Sequence, residues 1–283
     1  MKSQKVNILL PTDFSDNAWS AAVYALKLFA DKECTFYFLH TTSIIASKIS
    51  KKFSKEIKEN AMKELLELKE MAEASNANAN HTFEIVLTED NLFKAIETQI
   101  LEHKINMVIM GTKGATAAKE LFLGSNTVNI VKKMRLCPIL IIPYEFDFVE
   151  PKQLAFPTDF NRFYNEKELD HLKQLADLFN SDIRIVHIKT ENQLDDIQEY
   201  NYMMLKHYLK DYKCSYHWMP DYTNKVEEIN VFIEDLKINI LIMINYWHSL
   251  MENIFKEPVI KKIGLHPKIP FLVIPDYADE HHR

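Results

Sequence analysis

The string Pro-Thr-Asp-Phe occurs twice, at residues 11–14 and again at 157–160. Each copy follows a short apolar run, Val6 to Leu10 in one case and Leu154 to Phe156 in the other. About 27 residues beyond each aspartate comes a second apolar run ending in histidine, Phe36-Tyr-Phe-Leu-His40 and Ile183-Arg-Ile-Val-His187. Each half then closes alike, on Pro138-Ile-Leu-Ile-Ile-Pro143 and on Pro270-Phe-Leu-Val-Ile-Pro275. Three landmarks in the same order mark a duplicated domain, and a chain of 283 residues has room for two of ordinary size. The expected domains are 1–146 and 151–283. The connector near Tyr144 to Lys152 is short and contains a proline but little glycine or serine, so it reads as fairly stiff.

Within each half the pattern alternates. Short, near-continuous apolar runs at 6–10, 34–40, 82–87, 107–111 and 138–142 read as strands covered on both faces. Between them, helices are expected over Trp19 to Lys32, 51–75, Asn91 to His103 and Ser125 to Met134. Ala22, Ala25, Leu26 and Phe29 recur at helical spacing in the first of these. The second half repeats the plan, with strands near 153–157, 182–188, 214–219, 240–245 and 271–275. This order predicts an α/β protein of two tandem domains, each a five-stranded parallel sheet with helices on both faces. Ligands of such sheets bind beyond the carboxyl ends of the strands, where strand order reverses.

Charge and composition narrow the function classes. The net charge of −6 divides unevenly: residues 1–143 carry 18 Lys/Arg against 16 Asp/Glu, and residues 144–283 carry 16 against 24. No basic stripe of the kind nucleic-acid binders show is visible, and the first half suits a small anionic ligand better than the second. The run Val6, Ile8, Leu9, Leu10 stops at Pro11, too short for a signal peptide or a membrane span. The expectation is a cytoplasmic protein with no nucleic-acid or membrane partner. Cys34, Cys137 and Cys214 are widely spaced and odd in number, which fits free thiols rather than a disulfide framework or a zinc motif.

The chain has only four glycines, and Gly111, Gly114 and Gly124 follow one strand closely, in the pattern Gly-x2-Gly-x9-Gly-Ser ending at Ser125. Gly111 and Gly114 let backbone turn tightly and come close to a ligand. Gly124 and Ser125 stand where a helix starts, and unpaired N–H groups there attract phosphate. Ser125 can cap that helix and offer its hydroxyl to a phosphate oxygen. The alternative is that the three glycines only serve turns around a long loop.

These motifs resemble the universal stress protein family, whose ATP-binding class carries this glycine spacing after its fourth strand and an aspartate after its first. The likeness covers nearly the whole chain as two tandem copies. It implies a Rossmann-like domain of the adenine nucleotide alpha hydrolase type that binds ATP with Mg2+. Asp13 and the backbone at Thr41 would then hold the adenosine. The glycine loop, Ser125 and Asn126 would hold the ribose and phosphates, with Pro11, Thr12, Thr112 and Lys113 in the same site. The resemblance also implies pairing of domains through their last strands, as an intramolecular pseudo-dimer and, between two chains, a homodimer.

Alternatives stand beside several of these residues. Asp13 accepts hydrogen bonds from a nucleotide or else caps the helix that follows, as Ser15 or Asp16 also can. Lys113 is a phosphate contact or a solvated loop lysine. His40 and His187 read as structural. In the second half the expected glycine is Asn245, followed by Tyr246, Trp247 and His248, and Glu257 stands near the expected Gly-Ser. That domain is not expected to bind ATP in the same way, and its helix bearing Tyr200, Tyr202, Tyr208 and Tyr212 reads as packing. No nucleophile elbow or Walker lysine motif is present. The functional expectation is a nucleotide-responsive stress or regulatory protein with no catalytic residue and at most weak ATP hydrolysis. The other reading is an interaction scaffold indifferent to nucleotide.

Overall fold

The computed structural model of the chain describes residues 5–42, 51–75, 78–112, 124–189, 193–220, 231–245 and 268–277. The chain divides into two compact units, Met1–Phe148 and Val149–Arg283, and both are α/β with parallel strands.

The first unit runs β1 (Val6–Pro11), α1 (Asp16–Leu28), β2 (Cys34–Thr41), α2 (Lys51–Ser75), β3 (His81–Thr88), α3 (Leu92–His103), β4 (Met107–Gly111), α4 (Ser125–Lys133) and β5 (Ile139–Ile142). Its strand order is β3-β2-β1-β4-β5, and all the pairings are parallel. Ile8, Leu9, Val108, Ile109, Leu140 and Ile141 are fully or almost fully buried, since helices cover both faces of the sheet. The order reverses between β1 and β4, which pair through Ile8–Met107 and Leu9–Val108.

The second unit runs β6 (Gln153–Pro157), α5 (Glu166–Phe179), β7 (Asp182–Lys189), α6 (Asp196–Tyr208), β8 (Cys214–Pro220), β9 (Ile240–Asn245) and β10 (Phe271–Pro275). Its strand order is β10-β9-β6-β7-β8. The reversal falls between β6 and β9, paired through Leu154–Ile240 and Ala155–Leu241.

The predicted strands are all present, and the helices shift mainly at their ends. α1 starts at Asp16, three residues before the expected Trp19, because the Ser15 hydroxyl accepts from the Ala18 N–H at 3.3 Å and caps the helix there. It ends at Leu28 rather than Lys32. α5 and α6 each start with a reciprocal capping box, Asn165 with Glu168 and Asp195 with Gln198. With so few glycines, the left-handed positions ending α3 and α5 fall to Lys104 (φ 49°) and Asn180 (φ 51°). All three cysteines are free thiols. Burial pushes Cys34 and Cys137 up to about 12 and Cys214 up to about 11, so none is a ready nucleophile. Among the described residues, no helix is long and apolar enough to cross a membrane.

Candidate functional site

Three strand ends of the first domain lie side by side: β2 ending at Thr41, β1 at Pro11 and β4 at Gly111. They meet where strand order reverses, which is where sheets of this type leave a crevice.

The turn after β1 is fixed by its own residues. The Thr12 N–H donates to Leu39 at 2.8 Å and so extends the ladder by one residue. Its hydroxyl oxygen accepts from the Phe14 N–H at 3.0 Å. The Thr12 carbonyl lies 2.8 Å from His40 Nδ1, and the His40 ring packs on Phe14 with centroids 4.4 Å apart. Phe14 is held at φ 63°, a left-handed conformation unusual for an aromatic residue. His40 is thus a structural residue that pins the turn. Asp13, at its apex, is exposed. Its Oδ1 accepts from the Ser15 hydroxyl at 2.6 Å and the Ser15 N–H at 3.2 Å. The capping alternative is thereby decided: Ser15 caps α1, and Asp13 orients the cap instead of serving as one.

The strand-to-helix connection after β4 is closed by hydrogen bonds at its two ends. The Gly124 N–H donates to the Thr112 carbonyl at 2.7 Å. The buried Thr127 hydroxyl reaches the Gly111 carbonyl at 3.2 Å. The Thr112 N–H donates to Ile142 at 3.0 Å, holding the start of the connection against β5. Lys113 and Gly114 lie outside the described residues.

One expectation at this helix start is corrected, and one glycine gains a second explanation. Ser125 does not cap α4; Gly124 occupies the N-cap (φ −60°, ψ 149°), and among the described residues no side chain caps the helix. Ser125 is the first helical residue, exposed together with Asn126. Its leading N–H groups therefore have no side-chain cap among the described residues. Gly111 has a reason to be glycine inside the protein itself. A Cβ there would stand 2.7 Å from Asn17 Cγ and 3.0 Å from the Asn17 carbonyl oxygen. Asn17, buried in the first turn of α1, fills the space beside Gly111, so the glycine has a packing reason next to the ligand reading.

Thr41 pairs with Thr88 across β2 and β3, and the buried Thr42 continues the ladder by donating to Thr88 at 2.9 Å. Pro11, Thr12, Asp13, Thr41, Gly111, Thr112, Gly124, Ser125 and Asn126 all belong to one edge of one sheet or to the helix start beside it.

The second domain builds the same turn and covers it differently. The Thr158 N–H donates to Val186 at 2.8 Å, and the Phe160 N–H donates to the Thr158 hydroxyl at 3.1 Å. His187 Nδ1 lies 2.9 Å from the Thr158 carbonyl, and its ring stacks on Phe160 at 4.9 Å. The Thr158 hydroxyl also meets Tyr164 at 2.7 Å, and burial pushes that phenol well above its ordinary range. Over the turn lies α6. The Gln198 amide donates to the Asp159 carbonyl at 3.0 Å, and the Asn201 amide to Phe160 at 2.8 Å. Tyr202 and Trp218 complete an aromatic cluster around Phe160. Sequence reading missed Gln198 and Asn201; the available signal was a pair of amides three residues apart on one helix face. Of the tyrosines read as packing, Tyr202 is packed, but Tyr200 is 53% exposed. Asn245 ends β9, buried at 9% exposure, and Tyr246, Trp247, His248 and Glu257 lie outside the described residues.

Comparison with known proteins gives a consistent picture. The sequence model of the universal stress protein family matches residues 6–143. A universal stress protein of Methanocaldococcus jannaschii is 23% identical over 141 residues, covering 48% of this chain and 80% of that protein. A universal stress protein from Archaeoglobus fulgidus has a similar structure, with a TM-score of 0.66 at 19% identity, covering 97% of each chain. The cytoplasmic domain of a prokaryotic cation chloride cotransporter has a TM-score of 0.53 at 11% identity, covering 95% of each. At these identities, the structural likenesses establish the fold alone.

Proposed function

The chain belongs to the universal stress protein family by way of its first domain, residues 6–143, and on that premise we propose that this domain binds ATP and that the second does not. The observation that carries the proposal is the start of α4, with Ser125 and Asn126 exposed and, among the described residues, no side-chain cap. It belongs to the same sheet edge as Asp13 and Gly111, at the strand-order reversal. A helix start of this kind accepts phosphate oxygens on its N–H groups and on the Ser125 hydroxyl. Asp13, already oriented by Ser15, accepts from an adenine amino group or a ribose hydroxyl, with Pro11, Thr12 and the Thr41 backbone beside it. Thr112, Lys113 and Gly114 complete the phosphate side, and Mg2+ arrives with the phosphates, ligated by them and by water.

In this reading ATP is a regulatory ligand that stabilises one state of a stress-response protein, rather than a substrate turned over. Pairing of domains through their last strands, within a chain and between chains, belongs to the same proposal. A second reading, a nucleotide-independent scaffold, draws support from Gly111, whose missing side chain is accounted for by Asn17.

The test is direct. The purified protein is denatured and the supernatant examined for adenine nucleotide by mass spectrometry. ATP with Mg2+ is then titrated by calorimetry into the natural chain and into Gly114→Trp. The proposal expects saturable heat from the natural chain and at least a tenfold loss of affinity in the variant. Saturable heat from neither would leave only the scaffold reading, and equal saturable heats would put ATP away from the loop bearing Gly114.

A further inference from the structure

We infer that α6 forms one half of a two-fold, antiparallel helix contact between two copies of this chain. The outer face of α6 carries an order that the packing of its own domain does not explain. Leu205 and Asn201 are buried toward the sheet, while Ile197, Tyr200 and Met203 are 57%, 53% and 56% exposed. Phe163, 69% exposed, packs edge-on against Tyr200 at 5.8 Å and widens the apolar patch. Five of the exposed large apolar side chains of the second domain, counting Trp218, come from α6, this turn and the neighbouring strand β8. Isolated exposed apolar residues are ordinary, but a contiguous stripe of them marks a contact surface.

The occupant is indicated by the charges at the two ends of the stripe. At 100° per residue, Asp196, Tyr200, Met203 and His207 fall within a sector of about 60°. An antiparallel copy related by a two-fold axis sets against each other the residues whose numbers add to the same total. Asp196 then meets His207 of the second copy, and Tyr200 meets Met203, with each pair occurring twice. An imidazole N–H donates to a carboxylate, and the tyrosine ring meets a methionine sulfur, a favourable contact. The opposed helix dipoles also attract. The dipole of a single helix accounts for acid in its first turn and base in its last. It does not account for Tyr200 and Met203 standing in water between them.

One helix and one turn per copy make a small interface, so a dissociation constant in the micromolar rather than nanomolar range is expected. The inference is independent of nucleotide. Sedimentation equilibrium of the full chain should show concentration-dependent pairing that Tyr200→Asp weakens at least tenfold. If the chain already pairs through another surface, the same measurement reads the next step of assembly. Two further variants separate contact from fold. His207→Asp alone sets carboxylate against carboxylate, and Asp196→His alone sets imidazole against imidazole, so each should associate poorly. Mixed together, the two chains regain both opposite pairs and should form heterodimers, visible by native mass spectrometry. A mixture no more associated than its components, a natural chain that never associates, or a Tyr200→Asp variant that assembles like the natural chain would each overturn the inference.

Discussion

Phe14 and Phe160 occupy the same left-handed conformation, φ 63° and 57°, each beneath a histidine that reaches the carbonyl two residues earlier. The two turns agree in nearly every backbone detail, and the domains part company only above them. In the first domain the aspartate at the apex is exposed and bound to Ser15, the cap of the next helix. In the second, the carbonyls of Asp159 and Phe160 are taken by Gln198 and Asn201 of α6. The Pro-Thr-Asp-Phe string therefore encodes the same turn in both domains. What it becomes depends on residues that arrive from elsewhere in the chain, so a repeated motif is weak evidence for a repeated function.

The sharpest way to break this comparison is at Gly111, the residue that packing and ligand binding both claim. Gly111→Ala would press a methyl group against the buried Asn17. Overpacking of this kind costs about 3 kcal/mol at its upper range, and the loss should appear in urea unfolding of the first domain. Asn17→Ala removes most of the obstruction, so the double variant should lose clearly less than the sum of the single losses. Strict additivity would mean that Asn17 is not the reason for the glycine, and the ligand account of Gly111 would regain its ground.

A smaller effect is expected at Asn201, which is fully buried. Asn201→Ala leaves the Phe160 carbonyl without its donor, at a cost of about 2 kcal/mol, confined to the second domain's unfolding transition. A loss near zero would show that α6 merely lies over the turn and is not held there by this pair of amides.

Much of the architecture was legible because strands covered on both faces leave near-continuous apolar runs such as Ile139–Ile142. Helix starts were less so. α1 begins with the polar residues Asp16 and Asn17, and no hydrophobic period reaches back to them; only the Ser15 cap reveals the start. The glycine spacing located the candidate site, but the contact between Asn17 and Gly111 spans 94 positions of sequence and left no local trace. The roof over Asp159 was hidden for a related reason. Tyr200, Tyr202 and Tyr208 marked one property of α6, while the amides at 198 and 201 turned inward beside them; Tyr212 lies beyond the helix end. Local chemistry writes turns, caps and strands into the sequence; juxtaposition of distant elements has to be seen.

The smallest predicted effect tests how the two domains manage with so little glycine. Lys104 follows α3 at φ 49°, and its N–H donates to Ile100. Lys237 holds φ 50° at the matching place in the second domain, where the Ile238 N–H donates to Ile233 just as the Ile105 N–H donates to Ile100. A side chain in this conformation carries a penalty of about 1 kcal/mol that glycine avoids. Lys104→Gly should raise the stability of the first domain, and Lys237→Gly that of the second, each by somewhat less than 1 kcal/mol because glycine also loosens the unfolded chain. Equal gains would show that the duplication preserved the backbone at this corner as closely as at the two turns. A gain at one position alone would place a further divergence between the domains there, in a corner away from the strand ends where ligands bind.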